Sequence, residues 1–461
     1  MIGALVKHDI VDLIDRGQLR DLREILSDWT APEIASLVNE LDDQRDVILF
    51  GLLPHELATE TFAFLDFDTQ YRLLHALSNN TQMLAEILND LAPDDRTALL
   101  EGLPGESAQR LLTMLTPEER RIASQLLGYP AESIGRQMTP DYVAIRSAWT
   151  VQRSLDHIRK YGKDSETLNV IYVVDDHWRL LDDLRIRELL LAAPDTVIES
   201  IMDSRFVALR VSDDQETAVQ TFRENDRVAL PVVDGTGVLV GIITIDDVLE
   251  IAEDEATEDI QKIGAVEALD EPYMHTSMRV LVQKRAKWLI VLFLGELLTA
   301  TAMGHFEGEI ANAVVLALFV PLIISSGGNS GAQASTLMIR ALAVGEITLS
   351  DWRKVLSREL LSGLMLGAIL GGIGLVRVGI WEAAFGAYGE HWLRLGITVG
   401  IALLGVVLWG TVAGSMLPFV LRRAGADPAV SSGPFVATLV DVTGLIIYFS
   451  VAAALLSGYL L

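Results

Sequence analysis

The chain has 461 residues, half of them hydrophobic, no cysteine and a formal net charge of −27. Of its 36 basic and 63 acidic residues, 11 and 10 fall from Lys284 onward, so the part before Lys284 bears a net of −28. Disulfide, zinc-thiolate and thiol chemistry are excluded, nucleic acid is an unfavourable partner, and cations are attracted to the front of the chain.

The first residues show no basic-then-apolar leader, so the amino-terminal part is expected in the cytoplasm. From Met1 to about Leu127, apolar residues recur at three- and four-residue spacing, as in Leu19, Leu22 and Leu26, which predicts short helices. Helix starts are marked at Pro32-Glu33, Pro54, Pro93-Asp94-Asp95, Pro104 and Pro117-Glu118-Glu119. Proline fits the first helical position, and acids favour the first turn. Their irregular spacing suggests an α-helical, solenoid-like domain over residues 1–130. A solvated surface is the plain role for most of its acids.

From about Ile134 the pattern turns to short β-rich runs separated by amphipathic stretches: Val143 to Ile145, Val170 to Val174, Val207 to Leu209, Ala229 to Val233 and Val238 to Ile243. The unit occurs twice, over 131–200 and 201–255, opening at Gln137-Met138-Thr139-Pro140 and at Ile201-Met202-Asp203-Ser204. This α/β repeat resembles a tandem pair of CBS domains. The resemblance implies a cleft able to hold an adenine nucleotide such as ATP, with Thr244 and Asp247 at the Thr-x-x-Asp position. The first copy reads Arg185-Ile-Arg187-Glu188 there, so one nucleotide site at most is intact.

Glu250 to Lys262 predicts an acidic helix, with Glu255, Glu258 and Asp259 on one face. It is expected to continue as a connecting helix over 256–283, through Gly264 and Pro272, to the basic cluster Lys284-Arg285-Ala-Lys287. Five apolar segments follow within 284–461: Trp288 to Phe306, Ile310 to Ser325, Leu360 to Val376, Leu395 to Leu417 and Phe435 to Leu461. Basic residues concentrate in alternate loops, at Lys284, Arg285 and Lys287, at Arg340, Arg353, Lys354 and Arg358, and at Arg422 and Arg423. That bias predicts a cytoplasmic amino terminus and an extracytoplasmic carboxyl terminus. Gly363, Gly367 and Gly371, like Gly410 and Gly414, have the spacing of closely packed helices. The run Ser325 to Gln333, with Gly327, Gly328 and Asn329, is too polar to face lipid and suggests a broken helix beside a pore. Asp441 stands inside the last apolar segment with no Lys or Arg in that segment, where an ionised carboxylate is costly unless a partner or water meets it.

The motifs Gly327-Gly328-Asn329-x-Gly331-x-Gln333, Phe306-Glu307-Gly308 and Asp427-Pro428 through Ala437-Thr438-x-x-Asp441-x-x-Gly444 resemble the signatures of MgtE-type magnesium channels, and the order of domains does too. The resemblance implies a non-enzymatic, homodimeric Mg²⁺ channel spanning the plasma (inner) membrane bilayer. Asp441 and the Ala437 backbone would bind the hydrated ion, and Asp427 would lie near the cytoplasmic mouth. It further implies regulatory Mg²⁺ between the cytosolic domains and the connecting helix. The matching residues are Asp94, Asp95, Glu216, Asp226, Asp246, Asp247, Glu250, Glu255, Glu258 and Asp259, and their ion would close the channel when internal magnesium is high. A membrane metalloprotease would need His-Glu-x-x-His, which His305-Phe-Glu307 does not supply.

Overall fold

In the computed structural model, which describes residues 2–41, 44–269, 273–274 and 276–457, the chain divides into two units, Met1–Glu253 and Asp254–Leu461. Among the described residues of the first unit, ten α-helices run between Ile2 and Leu126. The proline-marked starts hold: Thr30 closes a capping box on Ala31–Val38, and the helix α1 (Pro93–Gly102) opens on Pro93 with Asp94 and Asp95 in its first turn. Alternate helices pack on one another along the chain, the arrangement of a solenoid-like stack. Leu22, Leu37, Leu49, Phe50, Phe62, Leu73 and Ile87 are fully buried in one continuous core. Each such side chain stabilises by about 1.5–3 kcal/mol relative to exposure.

The repeat that follows forms two matching three-stranded sheets. In the first, β1 (Ala144–Arg146) pairs in parallel with β2 (Val170–Val174), which pairs antiparallel with β3 (Leu180–Arg185). In the second, β4 (Leu209–Arg210), β5 (Ala229–Val233) and β6 (Leu239–Thr244) repeat that order. A bulge falls at the same place in each, Val173/Val174 and Val232/Val233. The central strands are apolar on both faces because both faces are covered. The helices are α2 (Val151–Tyr161), α3 (Ile186–Leu191) and α4 (Gln215–Asn225), and β6 leads directly into α5 (Ile245–Ile263).

The acidic helix therefore starts inside the second repeat, and it ends earlier than the sequence suggested. Ala265 takes a left-handed φ of 55°, and the Val266 N–H returns to the Gln261 carbonyl at 3.0 Å, which caps the helix. The described residues between Gly264 and Ser277 are not helical, and Pro272 lies outside the described residues.

Among the described residues of the second unit, five helices are long and apolar enough to cross a membrane: α6 (Met278–His305), α7 (Val320–Ala343), α8 (Trp352–Phe385), α9 (Trp392–Arg423) and α10 (Gly433–Leu456). Residues 458–461, the end of the last predicted segment, lie outside the described residues. The second segment differs from expectation. A 3₁₀ stretch, Val314–Phe319, precedes α7, and α7 runs unbroken through Gly327 to Gln333. The glycines serve helix contact rather than a break. A Cβ on Gly414 would meet the backbone of Gly331, and one on Gly410 the backbone of Gly327. Within a helix the backbone groups are already satisfied, so a glycine-rich turn can stay helical where a neighbour presses against it. Likewise Gly367 lies against the backbone of Leu404, and Gly371 against that of Gly400.

Candidate functional site

Two places gather charged groups, one in each unit. In the second unit, Asp441 on α10 is half-buried beside Gly328 on α7, whose added Cβ would stand 3.3 Å from the Ala437 Cβ and 3.6 Å from Asp441 Oδ1. Gly328 thus leaves bare backbone over the two positions expected to meet the ion. Ser325, Asn329 and Gln333 recur every fourth residue on α7 and are exposed, forming a polar stripe along a membrane-length helix. Asn329 donates to the Ser325 hydroxyl at 3.3 Å. Thr438 and Thr443 bond back to Pro434 and Leu439, and Thr443 also accepts from Trp409. These hydroxyls are largely committed to helix backbone.

An open groove of about 710 Å³ runs between α6 and α10, lined by Leu289, Phe293, Glu296, Ala437, Thr438 and Asp441 among others, with no Lys, Arg or His in its wall. Glu296 was not singled out by sequence, although an acid within the first apolar segment carries the same signal as Asp441.

Asp427 sits elsewhere, before the 3₁₀ turn Pro428–Val430. One carboxylate oxygen accepts from the Ala429 N–H at 2.8 Å, and the other pairs with Lys262 Nζ at 2.8 Å. Lys262 also holds Glu258 at 2.7 Å. Burial opposes the lysine's charge, but its hydrogen bonds to Asp427 and Glu258 outweigh that and raise its pKa. The sequence offered no signal for this long-range pairing.

In the first unit, Asp94 and Asp95 at the start of α1 face Asp246, Asp247 and Glu250 at the start of α5, together with Glu166. Both helices turn their positive ends toward the cluster. Burial, then Asp247, Asp95 and Glu166, push the Asp94 carboxyl well above its usual range. Burial, then Asp247, Glu166, Glu250 and Asp246, raise Asp95 to about 7. Asp95 is exposed at the surface, so its burial is crowding within a cleft rather than sealing from water. Burial also raises Asp247, although the Thr244 hydroxyl donates to it at 2.7 Å and opposes the shift. Glu166 is raised by burial, Asp247, Asp246 and Asp141, and Asp141 to about 6 by burial and Glu119. Sequence reasoning missed Asp141 and Glu166, which only tertiary folding carries to this cleft. The guanidinium of Arg96, next to Asp95, is fully buried and bonds the Leu88 and Leu91 carbonyls and Glu119.

Within the first unit, Glu216 and Asp226 are not among the neighbours of this cluster. Glu216 and Asp226 are exposed at opposite ends of α4, about 15 Å apart by helix rise. Glu255, Glu258 and Asp259 belong to the second unit. Among the described residues, no three Asp, Glu or His side chains converge closely enough to hold a metal ion among them. An all-oxygen set of crowded, mutually repelling carboxylates nevertheless fits a divalent ion that keeps its waters.

Three family models match the chain: MgtE, a divalent cation transporter, over residues 320–451; the MgtE intracellular N domain over 29–132; and a CBS domain over 198–254. The magnesium transporter MgtE of Thermus thermophilus is 39% identical over 97% of this chain and 98% of its own length. That of Bacillus subtilis is 28% identical over 96% of each chain. Among solved structures, the cytosolic domain of the Mg²⁺ channel MgtE in complex with ATP is 34% identical, with a TM-score of 0.51, and covers 53% of this chain and 99% of that one. The soluble part of a magnesium transporter is 26% identical, with a TM-score of 0.50, and covers 55% of this chain and 99% of that one.

Proposed function

The chain belongs to the MgtE family of divalent cation transporters, and from that premise we propose that it conducts Mg²⁺ into the cell through a pore centred on Asp441. One observation carries this reading. Asp441 is an acid half-buried within a membrane-length helix, set against the bare backbone of Gly328, in a groove with no basic group in its wall. Such a carboxylate needs a cation or water to meet it. Magnesium dehydrates reluctantly and takes one or two carboxylates while keeping several waters. Ala437 adds backbone at the same level, and Asp427 offers a carboxylate at the cytoplasmic mouth.

The exposed stripe Ser325, Asn329 and Gln333 supports a homodimeric pore, since polar side chains of a spanning helix face protein or water rather than lipid. The chain is placed in the plasma membrane with a cytoplasmic amino terminus and an extracytoplasmic carboxyl terminus, following its basic loops.

Regulation is assigned to the acidic front. Asp94, Asp95, Asp246, Asp247 and Glu250 would hold one resident divalent ion, and Glu216, Asp226, Glu255, Glu258 and Asp259 would serve further weak sites of the same kind. When bound, the ion supplies positive charge between carboxylates that otherwise repel. Without it these side chains hold protons or push apart, which disfavours the compact arrangement. Differential affinity for the compact state then closes the channel as internal magnesium rises. Thr244 and Asp247 would also hold ATP, so nucleotide and ion would share Asp247.

Reconstitution of the full chain tests the reading. Proteoliposomes should take up Mg²⁺, Mn²⁺ and Co²⁺ should compete, and Mg²⁺ on the cytoplasmic side should shut the uptake. Absence of any divalent flux would leave a sensor that conducts nothing.

A further inference from the structure

We propose that Glu296 is a second cation-binding residue of the pathway, facing Asp441 across the groove, with Gly295 setting the approach of α6 that brings the two together. The proposal rests on the reading of Asp441 as an ion ligand. The Glu296 and Asp441 carboxylates are near enough to repel one another, and both side chains line the groove between α6 and α10. Gly295 is seated on Thr438, whose methyl occupies the place of any added Cβ, so a larger residue there would hold α6 away from α10. Small residues are what permit such an approach.

Two facing carboxylates in an apolar segment cannot both be ionised without a compensating charge. The groove wall supplies none from Lys, Arg or His, and its other lining is mostly aliphatic and aromatic. A divalent cation between the two acids meets both requirements. The space suffices for a hydrated one: six waters take about 180 Å³ at ~30 Å³ each, within a groove of about 710 Å³. Glu296 reaches further than aspartate, which suits contact through the ion's waters rather than to the bare metal.

The test is Mg²⁺ uptake by the full-length protein in proteoliposomes, measured against external Mg²⁺ for wild type, Glu296→Gln, Glu296→Asp, Gly295→Ala and Asp441→Asn. Glu296→Gln should raise the half-saturating Mg²⁺ concentration about tenfold, the factor given by ~1.4 kcal/mol of lost ion stabilisation, without lowering the thermal midpoint. Glu296→Asp should fall between Glu296→Gln and wild type, and Gly295→Ala should shift half-saturation in the same direction. Wild-type half-saturation in Glu296→Gln, alongside loss of uptake in Asp441→Asn, would overturn the role of Glu296 and leave the pore assignment standing. Wild-type uptake in Asp441→Asn would remove the pore assignment and this proposal with it. Should Glu296→Gln fail to fold, unchanged half-saturation in Glu296→Asp overturns the proposal equally.

Discussion

Replacing Gly414 by alanine adds one methyl group where α9 touches α7. The new Cβ would collide with the Gly331 carbonyl oxygen and stand 2.8 Å from its carbonyl carbon and 2.9 Å from its Cα. All three are backbone atoms of a neighbouring helix, so no flexible side chain can swing away. The helices must part, and the contact of Gly410 with Gly327 one turn earlier loosens with them. Overpacking of this kind costs about 1–3 kcal/mol. For a domain of about 150–250 residues each kcal/mol shifts the midpoint by about 2–4 °C, so a fall of roughly 2–12 °C is expected. The assay is thermal unfolding of the detergent-solubilised full chain, with Gly372→Ala as control. Gly372 has nothing within 4 Å of its added Cβ. Alanine there should be neutral or stabilising by up to about 1 kcal/mol, because glycine is a poor helix former. If Gly414→Ala melts within about 1 °C of Gly372→Ala, the close approach of α7 and α9 is not what the glycines serve.

Two further outcomes are expected. Asp95, raised from 3.8 to about 7, holds a proton in the folded chain that the unfolded chain has released. Its contribution to stability is therefore full below about pH 3.8 and lost as pH rises through about 7. In metal-free buffer the melting temperature should fall over that range, and added Mg²⁺ should restore it most at the alkaline end; a Mg²⁺ effect independent of pH would separate the cluster from the ion. Lys262→Met should release Glu258 and Asp427 from a shared ammonium held at 2.7 and 2.8 Å. A divalent ion then meets two uncompensated acids, so cytoplasmic Mg²⁺ should inhibit uptake at lower concentration, and an unchanged inhibition curve would contradict a role for that bridge.

Local signals carried most of the fold. Proline and acids at Pro93-Asp94-Asp95 mark a helix start because capping is decided within one turn, and the short β-rich runs at Val170 and Ala229 mark strands that the two sheets then confirm. Asp441 was legible because one acid in an apolar run stands out by composition alone. The run Gly327 to Gln333 was legible as unusual but not in its form: whether such a run breaks depends on the helix pressed against it, here around Gly410 and Gly414. The end of α5 was hidden too, since Ala265 rather than glycine takes the left-handed turn. Asp141, Glu166 and the Lys262 to Asp427 bridge depend on residues far apart in sequence, and no local pattern announces them. Glu296 was readable by the same rule as Asp441, but its partner becomes visible only once α6 lies beside α10.

The central assignment is that Asp441 meets the permeating ion. Magnesium uptake into proteoliposomes containing Asp441→Asn, which removes the charge at nearly constant volume, tests it most directly against wild type at equal protein incorporation. The expected result is a loss of at least about a hundredfold in initial rate, the factor that ~2.8 kcal/mol of ion stabilisation gives, in a protein that elutes and melts as the wild type does. An Asp441→Asn rate within about twofold of wild type, less than the ~0.5 kcal/mol typical of surface substitutions, would show that the ion passes without this carboxylate.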